Sequence, residues 1–232
     1  HNPAAHNGVK LFGTKGQKLD DAWEDEIERR ALSDEPLPAF RARIKPFSNA
    51  RERYARFLMN AWPAGASLRG VPLVIDCAHG ATSAVAPDLF RRLGAKVTVL
   101  SASPNGRNIN RDCGALHPES LARAVRRTGA RLGVAFDGDG DRAIFVDEAG
   151  HARDGDAVLL AAARHLHVRG RLTHGTVVVT VMSNLGLLRA LDALGFRTEV
   201  TAVGDKNVWQ GMKKTGAALG GVAGSTIGGG RG

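Results

Sequence analysis

The chain has 232 residues and is 43% hydrophobic, so it is long enough for one large or two smaller domains and too apolar to be disordered. Its net charge is +9, but the basic residues are spread along the chain and only 5% of residues are aromatic. This composition argues against a nucleic-acid partner and suits an anionic small substrate. No apolar run approaches the roughly 18 residues of a membrane span, and the start has no apolar signal core.

The cysteine content indicates a reducing compartment. Cys77 and Cys113 are the only cysteines, and neither has the spacing of a metal site. We expect both to be inert thiols in a reducing cytoplasm, and we expect no membrane partner.

The first 66 residues predict helices but little strand. An acidic helix is predicted at 20–32, and a Pro-punctuated stretch follows at 34–40. A second helix has an apolar face, formed by Tyr54, Phe57, Leu58 and Ala61. We interpret residues 1–66 as the C-terminal part of a first α/β domain. Because the chain does not begin with methionine, we expect it to be a segment of a longer protein.

From residue 71 onward, strands and helices alternate. Strands are predicted at 71–76, 95–100, 131–136 and 143–147. Helices are predicted at 83–94, 117–129 and 155–168. This order is typical of a mostly parallel sheet with helices packed on it. We assign residues 67–170 to a complete second domain.

A second alternating unit begins after a short linker at 169–175. Its predicted strands are 175–181 and 196–202, and its predicted helices are 184–195 and 204–216. From residue 222 the chain is Gly-rich and of low complexity. Residues 171–232 are therefore interpreted as the N-terminal part of a third domain. The predicted fold class is α/β, with mixed, mostly parallel sheets.

The stretch FDGDGDR places three aspartates, Asp137, Asp139 and Asp141, at alternating positions, with Arg142 directly after them. Oxygen ligands in this spacing suit a hard divalent cation, Mg²⁺ or Ca²⁺, and the intervening glycines let the carboxylates converge. Beyond a strand of an α/β sheet, such a metal beside an arginine suits phosphate chemistry.

Two alternatives remain for this loop. One is a solvated acidic turn between two strands, because Asp-Gly pairs often form hairpins. The other is a calcium EF-hand, in which Glu148 would be the twelfth loop residue. The sixth position argues against it, since Arg142 stands where an EF-hand has glycine. The predicted flanking strands also argue against it, because helices flank an EF-hand loop.

The FDGDGDR loop resembles the metal loop of the α-D-phosphohexomutases. The stretches VIDCAHGATSAVAPDLFRRLGA, PNGRNIN and VTVMSNLGLLRAL are similar to the bacterial phosphoglucosamine mutase branch of that family. HNPAAHNGVKLFGTKGQKL at the start and VGDKNV near the end are also similar to it. The resemblance extends over residues 1–221.

The resemblance implies a four-domain isomerase that interconverts glucosamine 6-phosphate and glucosamine 1-phosphate, on the route to UDP-N-acetylglucosamine and peptidoglycan. A phosphoserine in the first domain would exchange its phosphoryl group with the hexosamine phosphate substrate. Mg²⁺ would be the cofactor. A homodimer of the full-length protein is a further expectation.

The resemblance also assigns residues. Asp137, Asp139 and Asp141 match the metal ligands, and Arg142 matches the loop arginine near the phosphoserine. His1 and Asn2 match the residues after the active serine, and Lys10 matches a lysine associated with proton transfer. The third-domain loop that faces the sugar is matched by Gly204, Asp205 and Lys206.

The chain departs from the family pattern at several positions. The active serine would directly precede His1, His6 stands where the family has aspartate, and Lys206 stands where arginine is common. Where the family continues into its sugar-hydroxyl loop, this chain reads GGVAGSTIGGGRG, as a frame shift or a cloning artefact would produce. The agreement with the family ends after Gly221. We therefore expect negligible mutase turnover from this chain alone.

Two other functions stay open. A phosphomannomutase/phosphoglucomutase would share the metal loop and differ in the sugar loop. A non-catalytic, metal- or nucleotide-binding α/β module would bind the cation without preferring a sugar phosphate.

Overall fold

The computed structural model describes residues 4–6, 11–14, 16, 19–34 and 47–222. Two helices precede the sheets, α1 (Asp21–Ala31) and α2 (Ala50–Ala61), as predicted. Both bury little: α1 has no buried residue and α2 has only Ala55. The predicted apolar face of α2 is largely open, since Tyr54 is 53% and Phe57 65% exposed.

The first sheet has five strands in the order β2-β1-β3-β4-β5. The strands are β1 (Pro72–Asp76), β2 (Lys96–Leu100), β3 (Leu132–Phe136), β4 (Ala143–Asp147) and β5 (Ala152–Arg153). Strand β1 pairs in parallel with β2 and β3, whereas β4 runs antiparallel to both β3 and β5. The predicted α/β class with mixed sheets is confirmed, and the two-residue β5 is an addition to it.

Helices cover both faces of this sheet because successive side chains of a strand point to opposite faces. Ile75 of β1 packs in a cluster with α3 (Ala86–Arg92). Val74, its neighbour in sequence, packs with α4 (Glu119–Thr128). Both valine and isoleucine are fully buried, which explains why β1 has a continuous apolar sequence rather than an alternating one.

The second sheet has three parallel strands in the order β7-β6-β8. This part of the chain contains, in order, α5 (Gly155–Val168), β6 (Thr176–Thr180), α6 (Leu185–Ala193), β7 (Arg197–Thr201), α7 (Asp205–Thr215) and β8 (Leu219–Gly220). Every residue of β6 is buried, as expected for a central parallel strand.

None of the helices that the structure describes is both long and apolar enough to cross a bilayer.

Helix α5 packs with the second sheet. Its residues Leu159 and Ala163 share one core cluster with Val177 and Val179 of β6. The sequence-based division at residue 170 placed this helix with the first sheet. Because the buried face of α5 belongs to the second core, we propose a domain boundary near residue 154, while the outer domain limits stay predictions.

Candidate functional site

The aspartate loop is the turn between β3 and β4. The Asp137 N–H donates to the Arg142 carbonyl at 3.2 Å, which closes the hairpin around residues 138–141. Strands flank the loop on both sides, so the EF-hand alternative is wrong. The loop is a turn between two strands, as the other alternative stated. It is not simply solvated, however, because Asp137 is fully buried.

The three aspartates converge. Asp137, Asp139 and Asp141 each offer a carboxylate oxygen, and these oxygens all lie within 4.8 Å of one another. Metal–oxygen bonds of about 2.0–2.6 Å to Mg²⁺ or Ca²⁺ place the ligand oxygens of one ion no more than about 5 Å apart. Asp137 is buried, Asp139 half-buried and Asp141 exposed, so the cluster opens to solvent on one side. The donor type and the spacing therefore fit a hard divalent cation.

Arg142 reduces the repulsion among these carboxylates. Its Nε and Nη2 atoms both lie 3.0 Å from Asp137 Oδ2, and Nε lies 3.7 Å from Asp141 Oδ1. The other oxygen, Asp137 Oδ1, accepts the backbone N–H groups of Gly140 and Arg142 at 3.0 and 3.1 Å. Asp137 thus organises the loop, whereas the guanidinium, 40% exposed, faces both the aspartates and solvent.

The loop after β1 packs directly on the aspartate loop. The Ala81 N–H donates to the Gly138 carbonyl at 2.9 Å. A Cβ atom at Gly80 would lie 2.2 Å from that same carbonyl oxygen, so only glycine fits there. On the other side, a Cβ atom at Gly138 would lie 2.7 Å from Ile109 Cδ1. Parallel pairing brings the carboxyl ends of β1 and β3 to one edge of the sheet, and this explains the contact.

A cleft of about 610 Å³ lies beside the aspartate loop. It is lined by Ala4, Ala5, Arg107, Ile109, Asn110, Arg111, Asp112, Leu116, His117 and Arg142. Three arginines against one aspartate make the lining positively charged, which favours an anionic ligand. Ala4 and Ala5, which lie in the N-terminal stretch that resembles the family, border the same cleft as Arg142.

The predicted sugar-facing residues lie elsewhere. Asp205 and Lys206 are the first residues of α7, and Gly204 is its N-cap, at the carboxyl end of the second sheet. Lys206 Nζ donates to Asp21 Oδ1 of α1 at 3.0 Å, and this hydrogen bond raises the pKa of Lys206. Sugar contact by these residues stays a prediction. The predicted catalytic residues His1 and Lys10 lie outside the described residues.

Both cysteines are buried free thiols. Burial raises the pKa of Cys77 to about 11 and also raises the pKa of Cys113. Since the thiolate is the reactive form, neither is activated as a nucleophile.

Asp76, the last residue of β1, and Gly80, which packs against Gly138 of the aspartate loop, were not predicted from the sequence as part of the site. A signal existed for Asp76, because it directly follows the apolar residues of β1, as Asp137 directly follows β3. The contact made by Gly80 has no local sequence signal, since it depends on residues 58 positions apart, between 80 and 138.

Two family models match the chain in succession. The model described as phosphoglucomutase/phosphomannomutase, alpha/beta/alpha domain II, matches residues 52–150. The model for alpha/beta/alpha domain III of the same family matches residues 154–222. Together these matches cover more than half of the sequence, and the chain belongs to the phosphoglucomutase/phosphomannomutase family, that is, to the phosphohexomutases.

Within this family, similar curated proteins are named phosphoglucosamine mutase. The one from Anaeromyxobacter dehalogenans is 48% identical over 95% of this chain and 51% of its own length. The one from Moorella thermoacetica is also 48% identical, over 95% of this chain and 50% of its own length. The chain therefore spans about half the length of the curated relatives it matches.

Solved structures support the same family. A phosphoglucomutase/phosphomannomutase family protein from Burkholderia thailandensis matches with a TM-score of 0.63 and 27% identity, over 74% of this chain and 37% of its own. A Thermus thermophilus protein with a provisional phosphomannomutase name matches with a TM-score of 0.72 over 89% of this chain and 48% of its own. At 23% identity, that second match shows the shared fold alone.

Proposed function

We propose that this chain forms the metal-binding part of a phosphoglucosamine mutase, an isomerase that interconverts glucosamine 6-phosphate and glucosamine 1-phosphate. The observation that carries the proposal is the convergence of Asp137, Asp139 and Asp141 beside Arg142, at the rim of a positively charged cleft. A hexosamine phosphate is an anion and suits that cleft. The 48% identity to proteins named phosphoglucosamine mutase supports this substrate class.

In this proposal the three aspartates hold Mg²⁺. When bound, the cation would draw negative charge from a phosphoryl oxygen, which favours attack at phosphorus. The carboxylates suit this ion because hard oxygen donors are the ligands that Mg²⁺ prefers. Asp137 has a second role, since its hydrogen bonds to Gly140 and Arg142 hold the loop in the shape that brings the other two carboxylates together.

Arg142 supplies the positive charge on the cleft side. Its guanidinium can present two N–H groups to phosphate oxygens as a fork, and its pairing with Asp137 limits the positions from which it does so. His1 and Lys10 as catalytic residues, and Gly204, Asp205 and Lys206 as sugar-binding residues, remain part of the proposal through the family resemblance. So do a cytoplasmic location and a homodimer of the full-length protein.

A second candidate is a phosphomannomutase/phosphoglucomutase. It is supported by the matching family models, whose description names these two activities. The metal loop is common to both candidates. The two candidates differ in the sugar they bind, so the choice depends on substrate preference and not on the metal centre.

A chimaera tests the proposed function. Residues 1–221 of this chain would replace the corresponding segment of the Anaeromyxobacter dehalogenans relative, which is 48% identical. We expect the chimaera to convert glucosamine phosphates and to prefer them to mannose and glucose phosphates. A folded chimaera that prefers mannose or glucose phosphate would favour the second candidate. A folded chimaera without any mutase rate would contradict both.

Arg142→Gln should tighten divalent cation binding by about tenfold, which corresponds to about 1.4 kcal/mol. The variant removes a positive charge that lies 3.0 Å from Asp137 and 3.7 Å from Asp141, and like charges repel an incoming cation. Titration with Mn²⁺, followed by electron paramagnetic resonance, measures the affinity. In the chimaera the same variant should lower kcat, because the fork to phosphate is lost. A weaker Mn²⁺ affinity would show that Arg142 serves mainly to shape the loop.

A further inference from the structure

Asp76 is a buried acidic residue that the proposed metal set does not include. It is the last residue of β1 and has no exposed surface. Its Oδ1 accepts the N–H of Ala78 at 2.9 Å, and its Oδ2 accepts the N–H of Gly114 at 3.1 Å. The first bond forms a local turn. The second joins two loops that are 38 residues apart in the sequence.

The two bonds hold backbone in a conformation that is costly for most residues. Ala78 has φ = 52°, in the left-handed region that L-residues with a side chain rarely adopt. The carbonyl of Ala78 accepts the N–H of Asn110 at 2.9 Å, and Asn110 itself has φ = 55°. A strained segment of this kind persists only where the surrounding structure determines it, and Asp76 supplies two of the necessary bonds.

The segments that Asp76 joins are those that pack on the aspartate loop. A Cβ atom at Gly114 would lie 2.6 Å from the carbonyl oxygen of Phe136, the residue directly before Asp137. A Cβ atom at Gly138 would lie 2.9 Å from the side chain of Asn110. On the β1 side, the chain contacts Gly138 at Gly80–Ala81, within a few residues of Ala78. Displacement of either segment would therefore shift the metal loop.

We propose that Asp76 is a positioning residue for the metal centre: it fixes the loop after β1 and the loop that ends at Gly114 as two walls between which the three aspartates converge. The inference rests on the proposed function, because it takes the aspartate cluster as a cation site. It predicts that Asp76 sets cation affinity without contacting the cation.

The sheet contains a matched control. Asp147 ends β4 and also accepts backbone N–H groups, from Ala149 at 3.1 Å and His151 at 2.9 Å. Because β3 and β4 are antiparallel and Asp147 pairs with Leu132, this turn lies at the opposite edge of the sheet from the metal loop. Asp147→Asn thus makes the same substitution as Asp76→Asn at a strand end that is remote from the aspartate cluster, where it also weakens an ion pair with Arg153.

The test compares Mn²⁺ affinity among variants of the chain. In Asp76→Asn an amide group with one acceptor oxygen replaces two acceptors, so at least one of the N–H groups of Ala78 and Gly114 loses its partner. We expect a loss of at least about tenfold in Mn²⁺ affinity for Asp76→Asn and less than about twofold for Asp147→Asn. Equal losses in both variants, or wild-type affinity in Asp76→Asn, would overturn the inference.

A second variant and a second readout secure the result. In Asp76→Ser a hydroxyl keeps the local turn to Ala78 but is too short to reach Gly114, so it isolates the long-range bond and also substitutes for Asp76→Asn if that variant does not fold. Amide hydrogen exchange at Gly140 and Arg142, without metal, should accelerate at least about tenfold in both variants and not in Asp147→Asn. Unchanged exchange would contradict the inference.

The outcomes also separate this inference from the proposed function. If the wild-type chain does not bind Mn²⁺ while exchange still accelerates in Asp76→Asn, the cation site is wrong and the coupling of the loops is right. If the wild-type chain binds Mn²⁺ and neither readout responds to Asp76→Asn, only the role of Asp76 is wrong.

Discussion

Asp139→Asn should weaken Mn²⁺ and Mg²⁺ binding by at least about 100-fold, which corresponds to about 2.8 kcal/mol. The substitution removes one of three negative charges whose oxygens lie within 4.8 Å of one another, and a neutral amide attracts a divalent cation far less than a carboxylate does. Asp139 is a better test than Asp137, because Asp137 also accepts the hydrogen bonds that hold the loop. Mn²⁺ titration measures the affinity.

Stability and a surface control distinguish loss of a ligand from collapse of the loop. Removal of one of several like charges should leave the thermal unfolding midpoint of the metal-free variant unchanged or higher. Asp88→Asn, on the exposed face of α3, changes the formal charge by the same amount and should leave Mn²⁺ affinity unchanged, since Asp88 pairs with Arg92 and not with the aspartate loop. Wild-type Mn²⁺ affinity in Asp139→Asn would rule out the three-carboxylate site.

Gly80→Ala should both destabilise the fold and disrupt the metal site. The added Cβ would lie 2.2 Å from the Gly138 carbonyl oxygen and 2.7 Å from its carbonyl carbon, so the backbone of one loop has to move. Overpacking of this kind costs about 1–3 kcal/mol, and movement of Gly138 displaces Asp137 and Asp139 on either side of it. We expect a lower midpoint in urea unfolding together with a loss of at least about tenfold in Mn²⁺ affinity.

Gly129→Ala is the matched control for this variant. Gly129 ends α4 with φ = 63°, and a Cβ atom there would meet nothing within 4 Å. Alanine in that conformation costs about 1 kcal/mol of stability, so the control loses stability without touching the metal loop. Mn²⁺ affinity should then be unchanged in Gly129→Ala. Equal losses of affinity in the two variants would mean that general destabilisation, rather than the Gly80–Gly138 contact, weakens the site.

The sequence alone predicted those parts of the fold that depend on interactions between residues close together in the chain. The alternation of apolar runs and helical stretches predicted the longer strands of both sheets, because a residue run that is buried on both faces is apolar throughout. The helix predicted at 83–94 is shorter in the structure, where a 3₁₀ turn at Ala81–Ala84 precedes α3 at Ala86–Arg92. The two-residue strands β5 and β8 were missed, since two residues have no detectable period.

The sequence by itself therefore determined the α/β class, the family resemblance and the three aspartates with their arginine, because each of these depends on residues that are close together in the chain. Only the tertiary structure decided that α5 packs in the second core, that the loops after β1 and before Gly114 pack against Gly138 of the aspartate loop, and that Asp76 joins those two loops. The physical reason is distance along the chain. A contact between residues 38 or 58 positions apart depends on how strands pair, and no short sequence pattern records that pairing.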